Sequence, residues 1–167
     1  MRNTKLALLL LGVLLLPLLT SCTSGENGDE VTTNSAETGP MPPGAWTDEV
    51  VETYSLGKQG QMLVEIFTKG TGPVVEEFDR VKVHYQGWIP GRQGFFDSSI
   101  KTDKPIEFAV GTKSVIGGWD LGITGMTVGT RARLHIPPGL GYGERGNPPM
   151  IPRSSKLLFD IEILGIR

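Results

Sequence analysis

Four stretches of this chain repeat with a period of two residues. Val81, Val83 and Tyr85 alternate with Arg80, Lys82 and His84, and Ile106, Phe108 and Val110 keep the same rhythm. Ala132, Leu134 and Ile136 alternate with Arg131, Arg133 and His135. Leu157, Phe159, Ile161 and Ile163 alternate with Leu158, Asp160, Glu162 and Leu164. Successive Cβ atoms of a strand point to opposite faces, so this spacing marks a sheet with one buried side. Residues 62–68 read as a further strand. With 23 Gly and 12 Pro among 167 residues, the chain has little room for long helices. A helix fits one place, about residues 113–121, and two glycines weaken it there. The expected class is α+β, with one curved antiparallel sheet wrapped around one short helix.

The N-terminal third follows other rules. Arg2 and Lys5 precede an apolar run over residues 6–19 that Pro17 interrupts. Crossing a bilayer takes about 20 apolar residues, so residues 1–21 read as an export signal. Its end, Leu19-Thr20-Ser21-Cys22, resembles a bacterial lipobox. That resemblance implies lipid transfer to the Cys22 thiol, cleavage before Cys22 and acylation of the new N-terminus. Several acyl chains anchor stably where one binds marginally. Cys22 is the sole cysteine, which excludes an intramolecular disulfide, and with only His84 and His135 beside it a Cys/His zinc site is excluded too.

Residues 22–57 are read as the lipidated N-terminus followed by a disordered acidic tether. From residue 23 to 57 there are seven acids and no Lys or Arg, and single-signed charge with low hydrophobicity favours disorder. Residues 46–57 are expected to dock in part on the folded domain, taken as 58–167. The whole chain carries a net charge of −2, which leaves no basic footprint for nucleic acid.

Few residues look like ordinary catalytic groups. Gly141, Gly143 and Gly146 fit G-x-G-x-x-G after a strand, but Pro148, Pro149 and Pro152 follow, and no helix can open there to hold a pyrophosphate. His84 and His135 fall on the polar side of their strands and read as surface residues. Gly-x-Ser-x-Gly is absent, so a hydrolase elbow is unsupported. What remains is Tyr85, Phe96, Trp119, Tyr142 and Phe159, on inward strand positions, the helix and loops. Core packing is the ordinary role of such residues. Aromatic residues are only 7% of the chain, so several around one concavity would be informative. Asp97 adds one acid to this set, and with Ser98 and Ser99 it is also good turn chemistry.

The segments Val83-His84-Tyr85-Gln86-Gly87, Phe96-Asp97-Ser98-Ser99, Val115-Ile116-Gly117-Gly118-Trp119, Gly125-Met126-Thr127-Val128-Gly129, Tyr142-Gly143 and Leu157-Leu158-Phe159-Asp160-Ile161-Glu162 occur in this order. Together they resemble the FKBP-type peptidyl-prolyl cis-trans isomerases, over residues 57–167. The resemblance implies a sheet of five or six antiparallel strands around one helix, and an isomerase of X-Pro bonds that needs no cofactor and no metal. It implies a pocket floored by Trp119 and walled by Tyr85, Phe96, Val115, Ile116, Tyr142 and Phe159. Asp97 is its buried polar group, Ile151 covers one side, and the Ile116 N–H and Tyr142 hydroxyl hold substrate carbonyls. On this basis Asp97, Tyr142, Trp119 and Phe96 are assigned to catalysis, and Tyr85, Val115, Ile116, Ile151 and Phe159 to substrate binding.

The chain departs from the family pattern in places. Thr102 stands where many relatives have an arginine that pairs with the acid, Ile106 replaces a common aromatic, and Met150 replaces a branched residue. The loop over residues 88–95 is one residue longer. No large insert follows Tyr142, and no helical dimerisation arm precedes the domain, so a monomer is expected. The expected partners are Pro-containing unfolded or nascent exported polypeptides, macrolide ligands, and a membrane through the lipid anchor. Thr23, rather than aspartate, after the cysteine places the expected location at the outer membrane facing the periplasm in a Gram-negative envelope. Two readings from other classes remain: a non-catalytic chaperone or peptide-binding lipoprotein on the same fold, and a structural envelope lipoprotein with a vestigial pocket.

Overall fold

The structure, a computed structural model, describes residues 45–58 and 61–167. The export signal, Cys22 and the chain through residue 44 lie outside the described residues. Seven strands and one helix follow in chain order: β1 (Glu52–Leu56), β2 (Met62–Thr68), β3 (Arg80–Trp88), β4 (Asp97–Ser98), β5 (Ile106–Ala109), α1 (Gly117–Ile123), β6 (Arg131–Ile136) and β7 (Leu157–Ile166). They form one sheet in the order β1-β2-β6-β7-β3-β4, and every pairing is antiparallel. The outer edge of β3 is shared. β5 pairs with Arg80 to Val83, and β4 pairs with Gln86 and Gly87.

The alternation in the sequence sorts side chains as expected. Val81, Val83, Phe108, Ala132, Leu134, Ile136, Leu157, Phe159, Ile161 and Ile163 are all buried on the inner face. Burying each such side chain is worth about 1.5–3 kcal/mol, which makes this face the main source of stability. Two register slips help the sheet curl. One falls between Ile66 and Thr68, and the other lies where Lys82 pairs with Gly165 but Val83 pairs with Ile163. The second leaves Leu164 without a cross-strand partner and partly exposed.

The sheet has seven strands rather than five or six. One of the extra strands, β1, lies within residues 46–57, the part of the tether expected to dock on the domain. Its composition is acidic, but Tyr54 and Leu56 alternate with exposed Thr53 and Ser55 and pack against the core. β2 also offers a free edge, and Val51 N–H already donates to Ile66 O at 2.8 Å. The other, β4, is only two residues long.

The helix begins four residues later than residue 113. Lys113 sits at φ 60°, and its N–H donates to Asp120 Oδ2 at 3.1 Å, so this segment is a turn. The glycines that weaken the helix as an isolated element are what let it lie on the sheet. A Cβ on Gly118 would stand 2.6 Å from Ile136 Cγ2, and one on Gly122 would stand 2.7 Å from Met62 Cε.

The outer face of the sheet is not uniformly polar. Trp88, Leu158 and Asp160 are buried there, with Gln86 and Arg133 beside them. His135 is not a free surface residue either, since its Nε2 lies 3.0 Å from Glu65 Oε2. The His135 imidazole at this distance holds the Glu65 carboxyl below the usual carboxylate range, against a smaller opposing effect of burial.

A methyl group at position 118 must push the helix off Ile136. Overpacking of this kind costs about 1–3 kcal/mol, so Gly118→Ala should lower the urea midpoint without changing the slope of the transition. Gly117→Ala is the control. The nearest atom to its Cβ is Leu140 Cδ2 at 3.6 Å, so it should leave the midpoint unchanged or raise it.

Candidate functional site

The site is built where α1 faces the ends of β3 and β7. Trp119 projects from the first turn of the helix onto the sheet and is only 4% exposed. Three rings hold it. Tyr85 meets it edge-on with centroids 5.1 Å apart, Phe159 edge-on at 5.3 Å, and Phe108 tilted at 5.6 Å. Phe96 stands edge-on against Phe159 at 5.5 Å. Edge-to-face pairs of this kind add about 0.5–1.5 kcal/mol each beyond the area they bury.

The meeting of Phe96 and Phe159 requires a bare backbone at position 87. A Cβ there would lie 2.6 Å from Phe159 Cε1 and 2.8 Å from Phe96 Cζ. The Phe96 N–H also donates to Gly87 O at 2.9 Å. Glycine inside a strand often marks such a close approach.

Asp97 follows Phe96 on β4. It is exposed, which corrects the expectation of a buried acid. A two-residue edge strand has too little structure around it to cover the side chain. Its carboxylate is nonetheless held: Tyr85 OH donates to Oδ2 at 2.6 Å, and Ser98 N–H donates to Oδ1 at 2.9 Å. Tyr85 is thus the partner of Asp97 in a chain with Thr102 at the arginine position. Thr102 donates instead to Ser99 O at 3.3 Å.

Ser99, buried beside them, clamps Tyr85 from behind. Its Oγ accepts from Tyr85 N–H at 2.7 Å and lies 3.0 Å from His84 Nδ1, while its own N–H donates to Tyr85 O at 2.9 Å. His84 is therefore tied into the site's support rather than being a free surface residue.

Val115 and Ile116 are half-buried at the head of the helix and pack against the core. Ile116 is the N-cap, with φ −63° and ψ 147°, so its own N–H stays outside the helical ladder. Asp120 fastens the loop that leads to them. Its Oδ1 accepts from Gly111 N–H at 2.9 Å and its Oδ2 from Lys113 N–H at 3.1 Å.

Tyr142 follows a 3-10 turn (Pro138–Leu140) and is 36% exposed. The loop beyond it is closed by Gly146 N–H donating to Tyr142 O at 3.1 Å and by the Asn147–Ile151 bridge. Ile151, expected to cover one side of the pocket, is buried in the same core cluster as Trp119 and Phe159. Met150 beside it is exposed. Met150 and Pro149 face Phe96, Ile89 and Arg92 across a concavity of about 200 Å³.

Trp119, Tyr85, Phe96 and Phe159 are therefore together, with Asp97 bonded to Tyr85. Gly87, Phe108, Ser99 and Asp120 support the site without having been assigned to it. Gly87 and Ser99 lie inside the motifs quoted above, and an interior strand glycine was the available signal. Among the described residues no group of three or more His, Cys, Asp or Glu is arranged to hold a metal ion. The arrangement offers apolar walls, two phenols and one carboxylate, which suits binding and polarising an amide without covalent chemistry.

Both phenols hold their protons tightly. Burial raises Tyr85 first, and the hydrogen bond to Asp97 and its charge raise it further. Burial and then the Asp97 charge raise Tyr142, and burial and then Glu52 raise Tyr54. A raised folded-state pKa means the native state keeps protons that the unfolded chain loses. The stability from these groups is complete below about pH 10 and falls as pH rises through the folded values. An ultraviolet titration of the folded protein should show phenolate only above the ordinary tyrosine range, with Tyr85 late. In Asp97→Asn, Tyr85 should ionise earlier yet stay above the ordinary value, because burial is the larger cause.

The sequence profile of the FKBP-type peptidyl-prolyl cis-trans isomerases matches residues 72–164. The peptidyl-prolyl cis-trans isomerase FPR2 of Saccharomyces cerevisiae is 47% identical over 89 residues, covering 53% of this chain and 66% of that protein. FK506-binding protein 2 of Dictyostelium discoideum is 47% identical over 88 residues, covering 53% of this chain and 65% of that protein. The match thus spans just under two thirds of these relatives' own length. The crystal structure of AtFKBP13 superposes with a TM-score of 0.61 at 36% identity, covering 68% of this chain and 98% of that one. The aromatic site lies within the matched residues, and the chain belongs to the family of FKBP-type peptidyl-prolyl cis-trans isomerases.

Proposed function

We propose that the chain is a peptidyl-prolyl cis-trans isomerase for exported polypeptides, held at the cell envelope by a lipid on Cys22. The observation that carries the activity is the ring cluster of Tyr85, Phe96, Trp119 and Phe159, with the Asp97 carboxylate bonded to its rim at Tyr85.

Rotation about an X-Pro bond breaks no covalent bond to the substrate, so no nucleophile is needed. The obstacle is lost amide resonance, about 18–20 kcal/mol. A planar amide is strongly polar and well hydrated, while a twisted one has a less polar carbonyl. An apolar, water-poor wall therefore disfavours the planar form more, which is differential stabilisation of the transition state. A gain of about 5–6 kcal/mol would give about 10⁴-fold acceleration. Phe96, Val115, Ile116 and Phe159 supply the wall, and Trp119 supports it from below. Tyr142 and the Ile116 N–H hold substrate carbonyls, and Asp97 fixes the Tyr85 phenol at the rim.

The substrates are X-Pro segments of unfolded or nascent exported chains, and the protein acts as a monomer. The same walls would take a macrolide of the FK506 type, as the name of the Dictyostelium relative says of that protein. The lipid rests on Leu19-Thr20-Ser21-Cys22 after a short apolar run. Thr23 after the cysteine favours the outer membrane, facing the periplasm, in a Gram-negative cell.

Turnover of a model X-Pro peptide, followed spectroscopically, tests the activity. Phe96→Ala and Asp97→Ala should each lower kcat/KM by about tenfold or more while the domain stays folded at the assay temperature. Full activity in a Tyr142→Phe, Asp97→Ala double variant would overturn the site assignment. Binding of unfolded chains without acceleration would favour a non-catalytic chaperone. For the anchor, a fatty-acid label should appear on the parent in cells and be lost in Cys22→Ala.

A further inference from the structure

Trp46 sits across the outer face of the sheet, on the side opposite the aromatic cluster. Beneath it lies an ion pair removed from water, with Arg133 6% exposed and Asp160 fully buried. Arg133 Nε donates to Asp160 Oδ1 at 2.7 Å, and its Nη2 donates to Oδ2 at 3.2 Å. Gln86 Nε2 adds a donor to the same Oδ2 at 3.3 Å. Asp160 thus stands between two neighbours in register, Arg133 on β6 and Gln86 on β3, and ties three strands together.

The strap formed by residues 45–51 enters this lock through its backbone. Trp46 N–H donates to Asp160 Oδ2 at 2.8 Å, and Arg133 Nη2 donates to Trp46 O at 2.7 Å. Both backbone polar groups of a single residue are therefore read by the two halves of one ion pair. The indole provides the grip. It lies edge-on to Phe67 at 6.3 Å, and the Arg131 guanidinium stacks on it at 4.1 Å. Asp48, two residues on, pairs with Arg131 at 3.0 Å. A buried ion pair is held only if its remaining donors and acceptors are satisfied. Here the strap adds one donor to Asp160 and one acceptor to Arg133.

The lock backs the site directly. Asp160 follows Phe159 on β7, and Gln86 follows Tyr85 on β3, so each locked residue is the outward neighbour of an inward ring. The ring positions set Phe96 against Phe159 and Tyr85 against Trp119. The profile match begins at residue 72, so the strap lies outside the residues that profile matches.

We propose that the strap at residues 45–51 is a positioning element of the catalytic site, in which Trp46 closes the Arg133–Asp160 lock and holds β3 and β7 still behind Tyr85 and Phe159. The catalytic half of this rests on the isomerase reading; the mechanical half does not. Trp46 is a positioning residue that acts through Tyr85 and Phe159. Water can replace its two backbone hydrogen bonds, so loss of the indole loosens these strands without unfolding the sheet.

The test uses the full chain with Trp46→Ala and Trp46→Phe, read by amide hydrogen exchange and by X-Pro turnover. In Trp46→Ala, exchange at residues 84–87 and 158–161 should accelerate by about tenfold, while residues 119–123 of the helix keep the parent's rate. At a temperature well below unfolding, kcat/KM should fall by about threefold or more, through kcat rather than KM. Trp46→Phe, which keeps a ring for Phe67 and Arg131, should recover most of both. Unchanged exchange on β3 and β7, or unchanged kcat/KM beside faster exchange, overturns the proposal. A parent that does not turn over X-Pro peptides sinks the isomerase reading, and the exchange data then decide the mechanical claim alone. Should Trp46→Ala fail to fold, Arg131→Ala takes its place, since it removes the stacked cation and the Asp48 pair but leaves Arg133 and Asp160 intact.

Discussion

A sheet that curls around a helix depends on how closely the helix can approach it. Here the approach is set by missing side chains. A Cβ on Gly118 would stand 2.6 Å from Ile136 and one on Gly122 would stand 2.7 Å from Met62, closer than side chains pack. Trp119 lies between those two positions in the helix, and its indole is carried down onto Tyr85, Phe108 and Phe159. If the helix stood off by one methyl group, the rings would lose their edge-on contacts. Gly87 repeats the device on the sheet side, where the absence of a side chain lets Phe96 and Phe159 touch. The aromatic cluster is thus shaped by three glycines as much as by its own rings.

The hydrogen bonds around Asp97 follow from the same economy of structure. β4 is too short to bury a carboxylate, so the group stays at the surface and is fixed by Tyr85 OH and Ser98 N–H. The phenol that fixes it is itself placed by Ser99, whose hydroxyl and N–H both bond to the Tyr85 backbone. A short chain of local contacts therefore holds the acid in place. It keeps one acid at the rim of an apolar site without the cost of burying it.

Much of this was legible in the sequence because a period of two is a direct imprint of the pleat. Val81, Val83, Leu134, Phe159 and Ile161 show it, and their strands lie where the alternation put them. β1 was harder to see, because acidic composition averaged over a long stretch hides the local alternation of Tyr54 and Leu56. The helix start was displaced because Lys113 takes a left-handed conformation, and the Asp120 carboxylate that holds its N–H lies seven residues away in sequence. Glycines were legible as helix breakers but not as spacers, since a spacer is defined by the residue across from it. The burial of Arg133 and Asp160 on the polar side of their strands was equally hidden. It depends on Trp46, 87 and 114 residues distant in sequence.

Where Trp46 sits also fixes the direction of the molecule. By strand parity the chain enters the folded unit on the convex side of the sheet, while the aromatic cluster looks out from the concave side. Anything that grips this strap holds the domain by its back. Traction on residues 45–51 is taken up at a guanidinium and a carboxylate before it reaches a single ring.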